Sequence, residues 1–118
     1  MADPGFSLRS LLLPAVELDD SVRFYRDSIG LALVMREGDV YTELDAGGLK
    51  LALATASDHP VPTTPLPTFK TTDMDGALAR LETGGASILA SPRAGKHEVR
   101  AVLQDPAGNA FIIYSSRS

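Results

Sequence analysis

The chain has 118 residues, a formal net charge of −4, 44% hydrophobic residues and no cysteine. This length suits one domain with a single core, and this composition is typical of a folded globular chain rather than a disordered one. The negative charge argues against a non-specific nucleic-acid binder, which needs a basic face. The absence of cysteine excludes disulfides and thiolate chemistry.

Membrane insertion and secretion are not indicated either. No apolar run approaches the roughly 18 residues of a membrane-spanning helix. The first residues, Met1–Gly5, carry neither a basic region nor a long apolar run, so we expect no signal peptide. The expectation is a cytoplasmic protein that has neither a membrane nor a nucleic acid among its partners.

The first half of the chain predicts one helix among four strands. The run Leu11–Leu13 is typical of a buried strand. Asp19 and Asp20 suit the start of a helix, and Gly30 suits its left-handed end. The buried helix face is expected to hold Val22, Tyr25 and Ile29. Strands are predicted within residues 8–16, 31–36, 40–44 and 49–54, the last one after the Asp45–Gly48 turn.

A proline-rich segment then interrupts the pattern. Prolines are poor residues for helix interiors and central strands, so Thr55–Pro67 is expected to be extended and fairly stiff. It contains Pro60, Pro62, Pro65 and Pro67.

The second half repeats the order of the first. Asp73 is expected to cap a helix whose apolar residues have the spacing of a packed face, and Gly84–Gly85 ends that helix. Asp105–Asn109 is dense in turn-forming residues and should join the last two strands as a hairpin. Strands are predicted over 68–72, 86–90, 99–104 and 109–115, with a Pro/Gly loop over 91–96.

The two halves align with each other. Asp20 and Asp75 are 55 residues apart (75 − 20), and so are Gly30 and Gly85 (85 − 30). We therefore interpret the chain as one domain, 1–118, built from two βαβββ modules. The modules cover residues 7–56 and 66–116, with a proline-rich linker over 57–65.

Two motifs in this frame resemble a known family. Val16–Tyr25 followed by Gly30-Leu31 is similar to the first-module signature of the vicinal oxygen chelate superfamily, and Asp105–Asn109 is similar to its closing turn. That superfamily contains glyoxalase I, bleomycin-resistance proteins and extradiol dioxygenases. The resemblance implies an α+β fold in which the two modules form a curved mixed sheet around a cleft, with the helices outside.

The resemblance also implies where a metal would lie. Enzymes of the family hold a divalent ion on four strand positions, usually His, Gln or Glu. Because strands have a period of two, counting from the motifs places these positions on Ser10, Ala52, Leu66 and Ile112. None of the four is a normal ligand for a divalent metal. We therefore expect no metal, no cofactor and no catalytic residue, although a misaligned metal site would make the chain a lyase, isomerase or dioxygenase.

Strand alternation sorts the neighbouring residues into two faces. The set Leu11, Leu13, Leu51, Leu53, Phe111 and Ile113 is expected to face the helices, whereas Ala110 shares the opposite, concave face. The facing of Tyr41 and Glu43 stays open. The predicted ligand-binding residues on the concave faces are Ser10, Leu12, Lys50, Ala52, Ala54, Leu66, Thr68, Lys70, Ile112 and Tyr114.

Several of these residues have a plainer interpretation. The small side chains Ala52 and Ala54 leave room for a ligand, but they also suit the packing of a tightly curved sheet. Lys50 and Lys70 can attract an anion or simply extend to solvent. Tyr114 can stack on an aromatic ligand or lie at a subunit contact.

The histidines offer little catalytic chemistry. His59 in the linker and His97 before a strand are expected to be exposed loop residues. His97 and Glu98 are adjacent, and neighbouring residues on a strand point in opposite directions, so they would not orient each other as an acid–base pair.

The sequence therefore predicts a metal-free homodimer of the bleomycin-resistance type that binds a small apolar or aromatic molecule, with drug sequestration and antibiotic resistance as one use. A metal-dependent enzyme of the same superfamily and a dimeric interaction module with a filled cleft are the alternatives.

Overall fold

The computed structural model describes residues 5–117 and confirms an α+β chain made of two βαβββ repeats. The first repeat contains β1 (Phe6–Pro14), α1 (Leu18–Arg23, continued by wider π-helical turns over Phe24–Ile29), β2 (Ala32–Glu37), β3 (Tyr41–Asp45) and β4 (Lys50–Ala54). The second contains β5 (Leu66–Thr71), α2 (Met74–Thr83), β6 (Ser87–Ala94), β7 (Glu98–Gln104) and β8 (Ala110–Ser116).

The chain divides into two compact units. Among the described residues, the N-terminal unit is Ser10–Leu66, and the C-terminal unit is 67–117 together with 5–9. The segment Met1–Pro4, on which part of the signal-peptide expectation rests, lies outside the described residues. No helix within residues 5–117 is long and apolar enough to cross a membrane.

The N-terminal unit is a mixed sheet packed against α1. Its strands follow the order β2-β3-β4-β1, with β1 parallel to β4 and the other neighbours antiparallel. Leu44 and Leu53 from the sheet pack with Leu18 and Val22 of α1, and all four side chains are buried. This cluster fixes which face of the sheet meets the helix.

The end of the first helix differs from the prediction. The helix begins after Glu17, which makes no side-chain cap, so neither Asp19 nor Asp20 is the N-cap. Its last turns are π-helical, and Gly30 N–H bonds to the Tyr25 carbonyl oxygen five residues earlier. An extra residue in the turn rotates the residues that follow. Ile29 was expected on the buried face and is instead 55% exposed.

The C-terminal unit repeats this plan around α2. Its strands follow the order β5-β8-β7-β6, with β5 parallel to β8 and the other neighbours antiparallel. Ala77 of α2 packs with Ala101, Leu103 and Ile113 of the sheet, and all four are fully buried. The predicted cap is confirmed, because the Asp73 carboxylate accepts the N–H of Gly76 at 3.0 Å.

The loop predicted over 91–96 is wrong in its first part, because β6 continues to Ala94. β6 is the last strand in its sheet order, and its register with β7 shifts twice between Ile88 and Arg93. A proline has no N–H to donate to a neighbouring strand. A bulge at a sheet edge accommodates it, because no hydrogen bond from that position is needed there. Pro92 therefore lies within β6, although the sequence predicts that this strand ends at residue 90.

The proline-rich linker is also less extended than predicted. The Thr55 carbonyl oxygen accepts N–H bonds from Asp58 and His59, and Thr64 N–H bonds to the Val61 carbonyl oxygen. These turns fold the segment back on itself. Pro67 lies inside β5, but the ladder with β8 begins at Thr68, so the proline interrupts no observed β5–β8 pair.

The closing hairpin turn is confirmed. Asp105 Oδ1 accepts the N–H groups of Ala107 and Asn109 at 3.0 and 2.8 Å, and Oδ2 accepts Asn109 Nδ2 at 3.0 Å. Gly108 has a φ of 94°, which favours glycine. The side-chain bond from Asn109, with help from backbone N–H groups, lowers the pKa of the Asp105 carboxyl below its usual range.

Candidate functional site

The helix-packed residues identify the opposite face of each sheet. Leu13 and Leu53 pack in the α1 cluster, and Phe111 and Ile113 pack in the α2 cluster. These four members of the predicted helix-facing set are confirmed. Because side chains alternate along a strand, Ala52 and Ile112 lie on the faces away from the helices. We call these the open face of the N-terminal unit and the open face of the C-terminal unit.

On the open face of the N-terminal unit, the register of β1 and β4 brings five predicted ligand residues together. Ser10 pairs with Lys50 and Leu12 pairs with Ala52, while Ala54 pairs with Pro14. Leu12, Ala52 and Ala54 are 5%, 1% and 0% exposed, and Ser10 and Lys50 are half-buried. The face therefore has a closed apolar floor with a lysine and a hydroxyl at one end.

Two residues that the sequence could not place also lie on this face. Leu44 packs toward α1, so Glu43 and Tyr41 point the other way. Glu43 is the register partner of Ala52, and Tyr41 is that of Ala54. The Tyr41 hydroxyl donates to Glu43 Oε2 at 2.6 Å, which is a short charge-assisted bond. Leu44 and Thr42 lie two positions apart on β3 and are both buried. Because side chains alternate along a strand, Tyr41 and Glu43 lie on the opposite face.

The open face of the C-terminal unit holds four more predicted residues. Thr68 pairs with Ile112, and Lys70 pairs with Tyr114 on the parallel strands β5 and β8. Ile112 and Thr68 are 1% and 9% exposed, while Lys70 and Tyr114 are half-buried. Across the part of the chain that the structure describes, neither Lys50 nor Lys70 forms an ion pair. Leu66, the tenth predicted residue, is fully buried and belongs to the N-terminal unit.

The donor chemistry of the implied metal positions does not fit a divalent ion. Ala52, Leu66 and Ile112 have no side-chain atom that can donate electrons to a metal, and the hydroxyl of Ser10 is a poor ligand by itself. Glu43 is adjacent to Ala52, but its carboxylate is engaged by Tyr41. Between residues 5 and 117, no three His, Cys, Asp or Glu side chains are grouped so that they can hold an ion.

His59 corrects one expectation. It was predicted to be exposed, but only 3% of it is accessible, because the linker turns fold it against β1. Its Nδ1 accepts the N–H of Val61 at 3.1 Å, and its Nε2 lies 3.4 Å from the Leu12 carbonyl oxygen. The first bond places the ring proton on Nε2, which can then donate to Leu12. Both nitrogens are therefore used in positioning the linker.

His97 is exposed, as predicted. It precedes β7, its carbonyl oxygen accepts the N–H of Arg117 at 3.0 Å, and Glu98 begins the strand half-buried. The expectation that His97 and Glu98 are not an acid–base pair stays a prediction.

Comparison with known proteins agrees with this architecture. The model of a glyoxalase-like domain matches residues 10–114. An uncharacterized protein of Mycolicibacterium smegmatis is 38% identical over 108 residues, which is 92% of each chain.

Solved structures share the fold at low identity. A glyoxalase/bleomycin resistance protein/dioxygenase superfamily member from Vibrio splendidus is similar with a TM-score of 0.72 at 17% identity, over 92% of this chain and 99% of that one. Methylmalonyl-CoA epimerase from Mycobacterium tuberculosis is similar with a TM-score of 0.69 at 16% identity, over 94% of this chain and 88% of that one. The chain belongs to the glyoxalase-like domain family of the vicinal oxygen chelate superfamily.

Proposed function

We propose that this protein binds a small apolar or aromatic molecule on its open faces without a metal ion, as a sequestering or carrier protein rather than an enzyme. The observation that carries the proposal is the side-chain chemistry at the four positions implied by the family. Three of the four, Ala52, Leu66 and Ile112, are hydrocarbon. The reactions of the metal-dependent relatives rely on a Lewis acid to polarise an oxygen atom, and these side chains supply no ligands for one.

The composition of the open faces supports a ligand with an apolar body. Ligand sites are mostly apolar with a few placed polar groups. Here the small side chains Ala52 and Ala54 form a floor, and the half-buried side chains around them are polar or aromatic. Tyr114 and Tyr41 offer flat surfaces with a hydroxyl, which suit an aromatic ligand. Lys50 and Lys70 add positive charge that a carboxylate or phosphate on the ligand can use.

A second function is favoured by the depth of burial. Ala54 and Leu66 are both 0% exposed, so part of the predicted floor is already covered by protein. A site that is filled in this way suits an interaction module whose open faces serve packing alone. We rank this second, because the charged and aromatic residues on the same faces remain half-exposed.

The exposed edge of the N-terminal sheet supports a homodimer. β2 is the first strand in its sheet order, and all six of its residues are exposed. Leu33, Val34 and Met35 are 44%, 48% and 40% accessible. Consecutive exposed apolar residues on an edge strand are a template for pairing with another chain. A second copy of this protein is the partner that we propose for it.

A ligand screen in the presence of EDTA tests the proposal. Aromatic antibiotics and aromatic metabolites are added singly, and the unfolding temperature is followed. A ligand at 100 times its Kd adds about 2.7 kcal/mol of stability, so a binder raises the unfolding temperature. Lys50→Ala is expected to weaken the binding of an anionic hit, whereas Lys96→Ala, which removes an exposed loop lysine, is expected to leave it unchanged.

The other outcomes reject the proposal. A screen with no hit supports the filled interaction module. A compound that raises the unfolding temperature only when a divalent metal replaces EDTA supports a metal-dependent enzyme. If Lys50→Ala and Lys96→Ala change the affinity for an anionic hit equally, the open face of the N-terminal unit is not the binding site of that ligand.

A further inference from the structure

A second cavity in the C-terminal unit is lined mainly by residues on the helix side of the sheet. It has a volume of about 400 Å³. Phe69, Leu81, Phe111 and Ile113 form its wall, and the same four residues belong to the core between α2 and the sheet. Phe6, Pro67 and Ala110 complete the apolar lining. Phe111 and Ile113 alternate with Ile112, so these two residues place the cavity on the side of β8 opposite the open face. Ala110, which also lines the cavity, has the parity of Ile112 and lies at the first position of β8.

Aromatic side chains are concentrated in this cavity. The chain has four phenylalanines, and three of them, Phe6, Phe69 and Phe111, line it. Phe69 and Phe111 meet edge to face, with ring centroids 5.9 Å apart and planes at 88°. Phe6 is 38% exposed, so this aromatic side chain is accessible at the cavity rather than sealed in the core.

The polar groups of the cavity are an acid and an amide. Asp105 and Asn109 of the hairpin turn line it, and no lysine or arginine among residues 5–117 does. Hydrogen bonds from Asn109 and the turn backbone lower the pKa of Asp105, so the carboxylate is charged at neutral pH. Asn109 Nδ2 bonds to Asp105, which leaves the amide oxygen of Asn109 as a further acceptor. The carboxylate of Asp105 and the amide oxygen of Asn109 therefore favour a hydrogen-bond donor or a positive charge.

The geometry points to a second binding site, specific for a small aromatic amine. Its ring would lie among the phenylalanines, and its ammonium group would lie at the Asp105–Asn109 turn. Aromatic walls attract cations through the negative faces of their rings, and a carboxylate adds a direct electrostatic preference. The volume is at the low end for ligand pockets and suits a compound of one or two rings rather than a peptide.

The charge preference is tested with three probes that share one ring system: tryptamine, indole and indole-3-acetate. Binding to the full-length protein is followed by amide chemical shifts in two-dimensional NMR spectra. Tryptamine is expected to shift the amides of Phe69, Leu81 and Phe111, and to bind several-fold more tightly than indole and at least ten-fold more tightly than indole-3-acetate. Equal binding of tryptamine and indole-3-acetate would overturn the proposal, as would shifts confined to Thr68, Lys70 and Tyr114 on the open face.

Two variants test the location. Phe6→Ala removes an accessible aromatic wall, and Leu81→Phe fills space from a half-buried helix position. Each is expected to weaken tryptamine at least five-fold, whereas Leu33→Ala, in the N-terminal unit, is expected to leave it unchanged. Unchanged affinity in both folded cavity variants would overturn the proposal. So would a concentration-dependent dimer that Phe6→Ala disrupts, because a second copy would then cover the cavity.

Discussion

Glu43 lies directly opposite Ala52 across the antiparallel strands β3 and β4. A carboxylate therefore adjoins the place where the family pattern implies a metal ligand, although the residue in that place is alanine. The Tyr41 hydroxyl holds this carboxylate at 2.6 Å. The pair is the best-defined polar feature of the open face of the N-terminal unit.

Removal of the Tyr41 hydroxyl should destabilise the fold measurably. Tyr41→Phe deletes the donor to a half-buried carboxylate, and a lost hydrogen bond to a charged group costs about 1.5–3 kcal/mol. The matched control is Tyr25→Phe, because the ring of Tyr25 packs against the α1 cluster with no hydroxyl bond in the described structure. The free energy of unfolding of each variant is measured by urea denaturation.

A double-mutant cycle isolates the contact itself. Glu43→Gln is combined with Tyr41→Phe, and the coupling energy is compared with that of Glu43→Gln combined with Tyr25→Phe. Residues in contact couple by about 0.5 kcal/mol or more, whereas distant ones add. Additive behaviour of Tyr41 and Glu43 would mean that the bond contributes nothing to the folded state.

The burial of two isoleucines predicts a large difference between the same substitution at each of them. Ile113 is 0% exposed in the α2 core, and Ile29 is 55% exposed after the π-helical turn. Ile113→Ala should lower the free energy of unfolding by about 2–5 kcal/mol. Ile29→Ala should lower it by less than about 0.5 kcal/mol, as is usual on a surface. Similar losses in the two variants would show that Ile29 packs in the core after all.

Acid should weaken the closing turn. The folded-state pKa of Asp105 is lowered by its hydrogen bond to Asn109 and by backbone N–H groups, so its stabilising contribution is complete above the unfolded value of about 3.9. That contribution is lost as the pH falls through the lower folded value. Asp105→Asn should therefore destabilise the protein more at neutral pH than at a pH of about 2.

Urea midpoints at the two pH values measure this effect. Glu37→Gln is the control for losing one carboxylate from an exposed surface position, and its effect is subtracted at each pH. If the loss of stability in Asp105→Asn is the same at both pH values after this subtraction, the charge of Asp105 does not stabilise the turn.

The parts of the fold that follow from short-range rules are predictable from the sequence. The Asp73 cap and the Asp105–Asn109 turn each depend on residues within four positions of one another. Strand alternation likewise predicts that Leu53 and Ile113 face the helices, because the period of two is a property of the strand itself.

The features that the sequence does not reveal depend on contacts made at a distance. His59 is buried because linker turns bring it against β1, 47 positions earlier in the chain. The facing of Tyr41 and Glu43 depends on which side of β3 meets α1. The extension of β6 through Pro92 depends on its place at the edge of the sheet. Composition and periodicity contain none of this information.

Metal uptake by the native protein distinguishes a metal-free binding protein from a metal-dependent enzyme. The protein is stripped with EDTA, dialysed against equimolar Ni²⁺, Zn²⁺, Mn²⁺, Fe²⁺ and Mg²⁺ under reducing conditions, passed through a desalting column and analysed for metal content. With hydrocarbon side chains at Ala52, Leu66 and Ile112, we expect far less than one metal ion per chain. One equivalent of a divalent metal that survives desalting, and that Glu43→Gln removes, would contradict this expectation.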